Sequence, residues 1–259
     1  MFLLAPDSKQ RFSNRVDDYV RYRPSYPRAI LRTLIAECGL TPEWRIADVG
    51  SGTGKLAELF LDNGNRVYAV EPNENMRRAA ESLLGNNPNF NAVPGSAEAT
   101  TLRLASVDVV AAGQAFHWFD RTAAKAEFLR ILKASGWMVL VWNERRDDTT
   151  PFLKAYEELL RRYSRDYTRV DHRNITEEIL QEFFSPSTYR KRVFEKTQDF
   201  DREGLLGRLR SSSYVPAPGE PNHEVIVREA EALFKKYTEN GRVRFEYSTV
   251  MYFAPFRKV

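Results

Sequence analysis

The chain of 259 residues is poor in the side chains that bind metals, with one cysteine and three histidines. A single cysteine, Cys38, excludes a disulfide within the chain and a metal centre held by cysteines. We expect Cys38 to be a small buried side chain on the apolar face of a helix. The histidines, His117, His172 and His223, lack the spacing of metal ligands, so the sequence predicts no metal site.

Long apolar runs and blocks of one charge are also missing. The opening MFLLAP lacks a basic region and is too short for a signal peptide or a membrane span. The chain has 39 Lys and Arg against 35 Asp and Glu, a net charge of +4 without a basic tail or stripe. That balance argues against nucleic acid as the primary partner and fits a small anionic molecule. We expect a cytoplasmic monomer or homodimer that contacts neither nucleic acid nor a membrane.

Apolar runs alternate with helical patterns up to residue 142. Continuous apolar runs separated by amphipathic helices are typical of a parallel sheet covered on both faces. Right-handed crossovers then require a doubly wound arrangement. The predicted strands are 45–49, 66–71, 89–93, 107–112 and 137–142. The predicted helices are 28–38, whose Ile30, Leu31, Leu34 and Ile35 face inward, then 53–62, 73–84 and 122–133.

After residue 143 the pattern becomes mostly helical. Helices are predicted at 151–164, 174–184, 202–210 and 223–238, and strands at 188–199 and 242–256. The final segment alternates apolar and polar residues, which is typical of a half-buried antiparallel strand. The sequence therefore predicts an α/β fold with a doubly wound, mostly parallel seven-stranded sheet, an antiparallel last strand and a small helical cap.

The stretch IADVGSGTG, residues 46–54, has the pattern of a buried strand, a glycine turn and a helix N-terminus. Glycine permits unusual dihedrals and close approach of a ligand to the backbone, and the N–H groups of the helix's first turn point into the same space. The next predicted strand ends at Glu71, where an acidic side chain can accept hydrogen bonds from a ribose diol. This arrangement predicts a nucleoside-type cofactor.

The residues of the glycine turn exclude two kinds of nucleotide-binding site. Nicotinamide and flavin sites use G-x-G-x-x-G, and here Lys55 stands in place of the third glycine. A phosphate-binding loop needs four residues between its glycines and then Gly-Lys-Ser/Thr, whereas Leu56 follows Gly54-Lys55.

The motif DVGSGTG, followed by the acidic strand end AVEPNENM, resembles the class I S-adenosylmethionine-dependent methyltransferases. GSAEA, residues 95–99, stands where that family contacts adenine, and VVAAGQAFHWFD, residues 109–120, stands where its fourth strand meets the methionine half. The segments VDDYVRYRPSYP and AFHWFD are similar to the small-molecule branch that includes trans-aconitate methyltransferases. The resemblance covers residues 8–142, and the remainder matches only in the order of its elements.

The resemblance implies S-adenosylmethionine as the cofactor. Asp48 would orient the loop or meet the cofactor's ammonium group through water, and Glu71 would bind the ribose. Many relatives carry Asp where Ser96 stands, with Glu98 as a substitute here, and Arg23 either pairs with the cofactor's carboxylate or is solvated. The implied cofactor-binding residues are Tyr22, Arg23, Asp48, Gly50, Ser51, Gly52, Gly54, Glu71, Pro72, Met76, Ser96, Ala97, Glu98 and Gln114.

The acceptor side depends on aromatic and basic residues near the same edge of the sheet. His117 is the candidate catalytic base, with substrate contact or a structural role as its alternatives. Phe12 is expected to anchor an N-terminal helix, whereas Tyr19 and Tyr22 form a lid. The predicted substrate-binding residues are Tyr19, His117, Trp118, Arg145, Arg210 and Tyr214. A solvated surface position is the alternative for the arginines, and packing beneath the pocket is the alternative for Trp118.

The sequence thus predicts transfer of a methyl group to an oxygen or nitrogen of a small molecule, with a carboxylic acid as one candidate. An RNA or protein methyltransferase is less favoured, because an added basic domain and an Asn-Pro-Pro-Tyr-type segment are absent. A non-catalytic cofactor-binding or regulatory protein stays open. The predicted divisions are 1–39, a lid and helix; 40–144, the cofactor-binding core; and 145–259, which completes the sheet and supplies the helical cap.

Overall fold

The computed structural model describes residues 15–165, 167 and 174–257. Phe12 and His172, for which the sequence made predictions, lie outside the described residues. The part of the predicted lid that precedes residue 15 lies outside them too. The strands are β1 Arg45–Val49, β2 Arg66–Val70, β3 Phe90–Val93, β4 Val107–Gly113, β5 Leu132–Arg145, β6 Arg190–Phe200 and β7 Val243–Pro255. The α-helices are α1 Val16–Tyr22, α2 Ala29–Cys38, α3 Lys55–Leu61, α4 Glu74–Leu84, α5 Arg121–Ile131, α6 Pro151–Tyr163, α7 Glu177–Phe184, α8 Arg202–Arg210 and α9 His223–Tyr237.

The described strands form one seven-stranded sheet in the order β3-β2-β1-β4-β5-β7-β6. Strands β1 to β5 pair in parallel. The last strand, β7, runs antiparallel to both of its neighbours and lies between β5 and β6. The predicted fold class is therefore confirmed, including the antiparallel last strand.

Two apolar clusters cover the two faces of this sheet. On one face, Phe60 of α3 and Leu34 of α2 pack beneath the central strands. On the other face, Phe128 of α5 and Phe183 of α7 do the same. Helices on both faces are the reason the central strands read as continuous apolar runs. Ile35 corrects one expectation, because it is 47% exposed and lies outside the inward face of α2.

Strand β5 is longer than the sequence predicted. It begins at Leu132, which pairs with Val107, and a register shift separates this pair from the main ladder that starts at Trp137. The ammonium group of Lys133 lies 2.8 Å from Asp108 across the same two strands. The predicted helix 122–133 therefore ends earlier, at Ile131. Pairing across strands, which is a tertiary contact, decides this boundary.

A third apolar cluster joins α6, α8 and α9 to the first part of β7, from Val243 to Tyr247. Tyr156 and Phe245 lie at its centre, with ring centroids 5.0 Å apart. The short helix α1 is attached to this cluster through Arg15, whose guanidinium donates to the carbonyl oxygens of Ser212 and Val215 at 2.6 Å each. The first and last parts of the described chain thus form one cap over the carboxyl edge of the sheet. The division at residues 39 and 144 stays a prediction.

The carboxyl ends of β1, β2, β4 and β5 meet at one edge of the sheet. The strand order reverses between β1 and β4, whose following chains leave toward opposite faces. Doubly wound folds bind ligands in the crevice at such a point. In the described part of the chain, no helix is long and apolar enough to cross a membrane.

Candidate active site

The glycine turn after β1 brings backbone close to the loop that follows β4. Gly50 has a φ of +67°, and a Cβ built there would lie 2.6 Å from the Cβ of Ala115. Its N–H donates to the carbonyl oxygen of Val70 at 2.9 Å. A larger residue would push the two loops apart, because that separation is well below a normal carbon–carbon contact. Glycine at this position therefore keeps the crevice narrow.

Asp48, the next-to-last residue of strand β1, is fully buried. No donor among the described residues makes a hydrogen bond of normal geometry to either of its carboxylate oxygens. Burial raises the pKa of Asp48 to about 7, although the backbone N–H of Ala57 in α3 offsets part of that effect. The carboxylate lines a cavity at the carboxyl edge. A buried carboxylate without a hydrogen bond of normal geometry is suited to a cationic ligand.

Glu71 follows β2 and connects the glycine turn to the start of α4. Its Oε2 accepts from the N–H of Gly52 at 2.9 Å, and its Oε1 accepts from the N–H of Asn73 at 2.8 Å. Burial raises the pKa of Glu71, while these two N–H groups and Arg77 lower it again in part. A carboxylate has about four lone-pair sites, so two remain for hydroxyl groups of a ligand.

Glu71 lies in a cavity of about 170 Å³ at the ends of β1, β2 and β4. Its lining combines small, apolar and acidic residues, which suits a nucleoside. These residues are Tyr19, Gly50, Gly52, Glu71, Pro72, Asn73, Met76, Ser96, Ala97, Glu98, Gly113, Gln114, Ala115, Trp118 and Phe119. We call this space the nucleoside cavity. Glu98 also accepts from the N–H of Asp120 at 3.0 Å, which ties the loop after β3 to the start of α5.

A second cavity of about 150 Å³ adjoins the first and lies under the cap. We call it the acceptor cavity. The two share Tyr19, Gly50, Gly113, Gln114 and Trp118 in their linings. The residues specific to the acceptor cavity are Arg23, Pro24, Tyr26, Asp48, Ser51, Thr53, Lys55, Leu56, His117, Asn143, Arg145, Tyr167, Arg208, Ser213 and Tyr214.

Gln114 lies between the two cavities in a strained backbone conformation, with a φ of +58°. A residue other than glycine adopts such a φ only when its surroundings impose it. Here the N–H of Gln114 donates to Val141 at 2.9 Å, and its side-chain amide donates to the carbonyl oxygen of Asn143 at 3.0 Å. Asn143 is itself held by the hydroxyl of Thr249 at 2.6 Å. Strand β7 therefore supports the loop that separates the cavities.

His117 and Trp118 belong to a short 3-10 helix, Phe116–Trp118, after β4. Phe116 is fully buried against Phe183, with ring centroids 4.6 Å apart, and thereby anchors this turn. His117 faces the acceptor cavity, and Trp118 lines both cavities. The structure therefore places both His117, the candidate base, and Trp118, a candidate substrate contact, at the acceptor cavity.

Three arginines line the acceptor cavity, and they differ in their partners. Arg145 forms a buried ion pair with Glu157 and donates to Tyr167 at 3.1 Å. Arg23 donates to the carbonyl oxygen of Ser211 at 2.9 Å. Burial, and then repulsion from the Arg208 guanidinium, lowers the pKa of Arg23.

Tyr214 lies among these guanidinium groups. Burial by itself raises the pKa of Tyr214, but Arg208, Arg145 and Arg23 outweigh burial and lower it below its usual range. Its ring contacts the ring of Tyr167, with centroids 4.7 Å apart. The acceptor cavity is therefore positively charged on the side formed by the cap.

Three residues that the sequence assigned to the site lie outside both cavity linings. Tyr22 lines neither cavity, because its ring packs on α8, where a Cβ built on Gly207 would lie 2.0 Å from Tyr22 Cε2. Gly54 is also outside both linings, since it begins α3 with a φ of +84° and packs against Leu84. Arg210 points away from the cavity and pairs with Asp18 at 3.0 Å.

Several lining residues were missed by sequence reasoning. Asn73, which precedes α4 and whose side chain accepts from Met76 N–H at 3.0 Å, has the ordinary signal of a helix cap. Arg208 lies in the helical run LLGRLR, two residues before Arg210, and helical phase could have separated the two. Lys55 and Asn143 also line the acceptor cavity, because Lys55 directly follows the glycine turn and strand β5 brings Asn143 there.

Metal binding is not indicated in the described ranges, where no group of three or more His, Cys, Asp or Glu side chains could hold an ion. His223 instead caps a loop, with its Nδ1 2.8 Å from the carbonyl oxygen of Pro216. Burial raises the pKa of the half-buried Cys38 to about 12, so its thiol is not activated.

The sheet order, the glycine turn and the acidic strand end define a Rossmann-like fold with a nucleoside cavity beside a second small cavity. The chain belongs to the class I S-adenosylmethionine-dependent methyltransferases. A family model described as a methyltransferase domain matches residues 47–140. The finer resemblance to trans-aconitate methyltransferases stays a prediction.

Relatives of known sequence match along nearly the whole chain. An uncharacterised methyltransferase of Mycobacterium bovis is 30% identical over 247 residues, which cover 94% of this chain and 95% of that protein. One from Schizosaccharomyces pombe is 28% identical over 93% of this chain and 95% of its own. Among solved structures, a protein described as a type II methyltransferase from Anaeromyxobacter dehalogenans superposes with a TM-score of 0.62 at 25% identity, covering 92% of this chain and 100% of that one.

The residues present fit S-adenosylmethionine. The cofactor carries a ribose diol, an ammonium group and no phosphate. Glu71 retains acceptor capacity in the nucleoside cavity, and the unpartnered carboxylate of Asp48 faces the adjoining space. The absence of a phosphate explains why neither a lysine nor a long run of amides is needed in the turn. The predicted cofactor is confirmed, whereas the role of each residue stays a prediction.

Proposed function

We propose that this chain transfers the methyl group of S-adenosylmethionine to an oxygen or nitrogen of a small molecule, with a carboxylic acid as the first candidate. The observation that carries the proposal is the acceptor cavity, about 150 Å³ in volume, which adjoins the nucleoside cavity under the cap. Sites for drug-sized ligands occupy roughly 300–1,000 Å³. The amino-acid end of the cofactor would take the part of this space next to Asp48, so the remainder suits a compact acceptor.

The chain's own residues position the reactants. S-Adenosylmethionine supplies an electrophilic methyl group on a sulfonium when it is bound. Glu71 would accept hydrogen bonds from its ribose, Asp48 would attract its ammonium group, and Gly50 leaves room at the junction of the cavities. Tyr19 and Trp118 contribute to both linings and would exclude water from the space between the reactants. Alignment of this kind contributes about 7–11 kcal/mol in favourable cases.

His117 has two proposed roles, which depend on the acceptor. A carboxylate needs no base because it is already a nucleophile, whereas an ammonium acceptor must lose a proton first. For a carboxylate, His117 would contact and orient the substrate. For an amine, it would accept the proton from a position in the same cavity.

The proposal includes a cytoplasmic location, no nucleic-acid or membrane partner, and a monomer or homodimer. The near balance of 39 basic and 35 acidic residues supports the absence of a nucleic-acid partner.

The test is a screen with S-adenosylmethionine labelled at its methyl group, over small carboxylic acids, amines and phenols. The wild type should label at least one of these classes. Glu71→Ala should reduce that labelling strongly at limiting cofactor. The matched control is Glu74→Ala, because Glu74 lies three residues further on at the start of α4 and pairs with Arg78 on the surface. Calorimetric binding of S-adenosylhomocysteine without labelling of any class would overturn the proposal and favour a non-catalytic protein.

A further inference from the structure

Arg208 is a buried charged side chain that the sequence predictions did not include. It lies on α8, lines the acceptor cavity and is only 6% exposed. Its Nε donates to the hydroxyl of Tyr247 at 3.3 Å, and its Nη1 donates to the hydroxyl of Ser212 at 3.1 Å. Both acceptors are neutral and provide no compensating charge. A guanidinium has five N–H donors, so these two bonds leave part of the fork available.

Three neighbouring arginines have carboxylate partners. Arg145 pairs with Glu157, Arg210 pairs with Asp18, and Arg165 pairs with Glu220. Within residues 15–165, 167 and 174–257, no Asp or Glu forms an ion pair with Arg208 or with Arg23. Removing a cation from water without a partner is costly. An anion that enters the cavity would remove this cost.

Arg23 adds a second positive charge to the same cavity. Repulsion from Arg208 contributes to the lowered pKa of Arg23, so the two guanidinium groups act on each other. The Nε of Arg23 is buried and has no acceptor among the described residues. Two neighbouring cations with unused donors produce a local excess of positive charge. Guanidinium groups bind oxyanions in a planar, bidentate fashion.

The two arginines belong to different parts of the site. The Arg23 guanidinium lies 5.3 Å from the ring centroid of Tyr19, a residue that lines both cavities, so Arg23 is near their junction. Arg208 is accompanied by Ser213 and Tyr214, which line the acceptor cavity and not the nucleoside cavity. Arg23 is therefore the better placed for the carboxylate of the cofactor. Arg208 is then available to bind a second anion.

We propose that Arg208 binds a carboxylate of the methyl acceptor and thereby restricts the substrates to small organic acids. This inference rests on the proposed function and names the substrate class. Arg145 does not serve this purpose, because it is already held in a buried ion pair with Glu157, and Arg210 lies outside the cavity. The interaction is a binding step. The carboxylate that Arg208 holds fixes the acceptor's orientation toward the cofactor.

The experiment measures binding to the complex with S-adenosylhomocysteine, by calorimetry, of three acids and their neutral amides. The probes are succinate, glutarate and benzoate, against succinamide, glutaramide and benzamide. At least one acid should bind the wild-type complex at least tenfold more tightly than its amide. Arg208→Met should remove that preference, and Arg208→Lys should retain part of it, because lysine keeps the charge and loses the fork.

Arg210→Met is the matched control. Arg210 lies two residues away on the same helix but pairs with Asp18 on the outside of the cavity. This variant should bind acids as the wild type does. Thermal unfolding of each variant checks that it is folded. If Arg208→Met does not fold, the preference for acid over amide in the wild type and its reduction in Arg208→Lys test the inference instead.

Three results would overturn the inference. The first is a wild-type complex that binds no acid better than its amide. The second is an acid preference that survives Arg208→Met. The third is a loss of S-adenosylhomocysteine affinity in Arg208→Met, which would assign Arg208 to the cofactor's carboxylate. Failure of the proposed function is distinct, because the wild type would then bind acids without transferring a methyl group to any of them.

Discussion

The buried carboxylate of Asp48 makes the stability of the ligand-free protein depend on pH in an unusual direction. Its pKa is raised from 3.8 to about 7, chiefly because it is completely removed from water. In the unfolded chain an aspartate ionises near pH 4. Between these values the folded state holds a proton that the unfolded state releases. The free energy of unfolding should therefore fall as the pH rises from about 4 to about 7.

The magnitude follows from the shift. One pKa unit corresponds to about 1.4 kcal/mol, so a shift of roughly three units costs about 4 kcal/mol once Asp48 is ionised. Most of that cost appears above pH 5. The variant Asp48→Asn keeps the shape and cannot ionise. Relative to the wild type, it should gain about 3 kcal/mol in free energy of unfolding between pH 5 and pH 8.

The assay is urea denaturation of both proteins at pH 5, 6, 7 and 8, followed by tryptophan fluorescence. Asp148→Asn is the control, because Asp148 is exposed in the loop after β5 and its loss reports the general effect of removing an acidic group. A difference between wild type and Asp48→Asn that stays constant across this range would refute the reasoning. Saturating S-adenosylhomocysteine should reduce the difference if Asp48 binds its ammonium group as proposed, since that contact would stabilise the ionised carboxylate.

Three further predictions concern other parts of the site. Glu71→Ala should weaken binding of S-adenosylhomocysteine by about 1–3 kcal/mol through lost charge-assisted hydrogen bonds, and unchanged affinity in calorimetry would remove Glu71 from the ribose contact. His117→Ala should lower turnover more than cofactor affinity, and the reverse order in kinetics and titration would place His117 with the cofactor. Gly207→Ala should destabilise the fold by about 1–3 kcal/mol in urea denaturation, because the new methyl group displaces the Tyr22 ring, and a neutral effect would mean that α1 readjusts freely.

The elements that the sequence predicted well are those decided by local pattern. The strands around Asp48 and Glu71 are continuous apolar runs, and the turn between β1 and α3 requires glycine at Gly50, so both could be predicted from a few neighbouring residues. The start of β5 could not, because Leu132 joins the strand only by pairing with Val107. Element type depended on periodicity, whereas this boundary depended on a partner distant in sequence.

The candidate site residues show the same difference between local sequence pattern and tertiary contact. The residues of the nucleoside cavity follow strand ends, and the topology fixes their positions. The acceptor side is built from the cap, where α8 presents Arg208 to the cavity and Arg210 to Asp18. Both arginines had the right chemistry for an anion, and helical phase decides between them. Arg145 reaches the cavity as predicted, but its buried partner Glu157, on α6, changes what it can bind.

The N-terminal segment and the cap are linked by the same arginine chemistry. Arg15 donates to the carbonyl oxygens of Ser212 and Val215, and Arg23 donates to that of Ser211, so two cations of the N-terminal segment hold the turn after α8. That turn includes Ser213 and Tyr214 of the acceptor cavity. Because Arg23 also lies close to Tyr19 at the junction of the cavities, an anion bound by Arg23 would reinforce the turn that shapes the acceptor site.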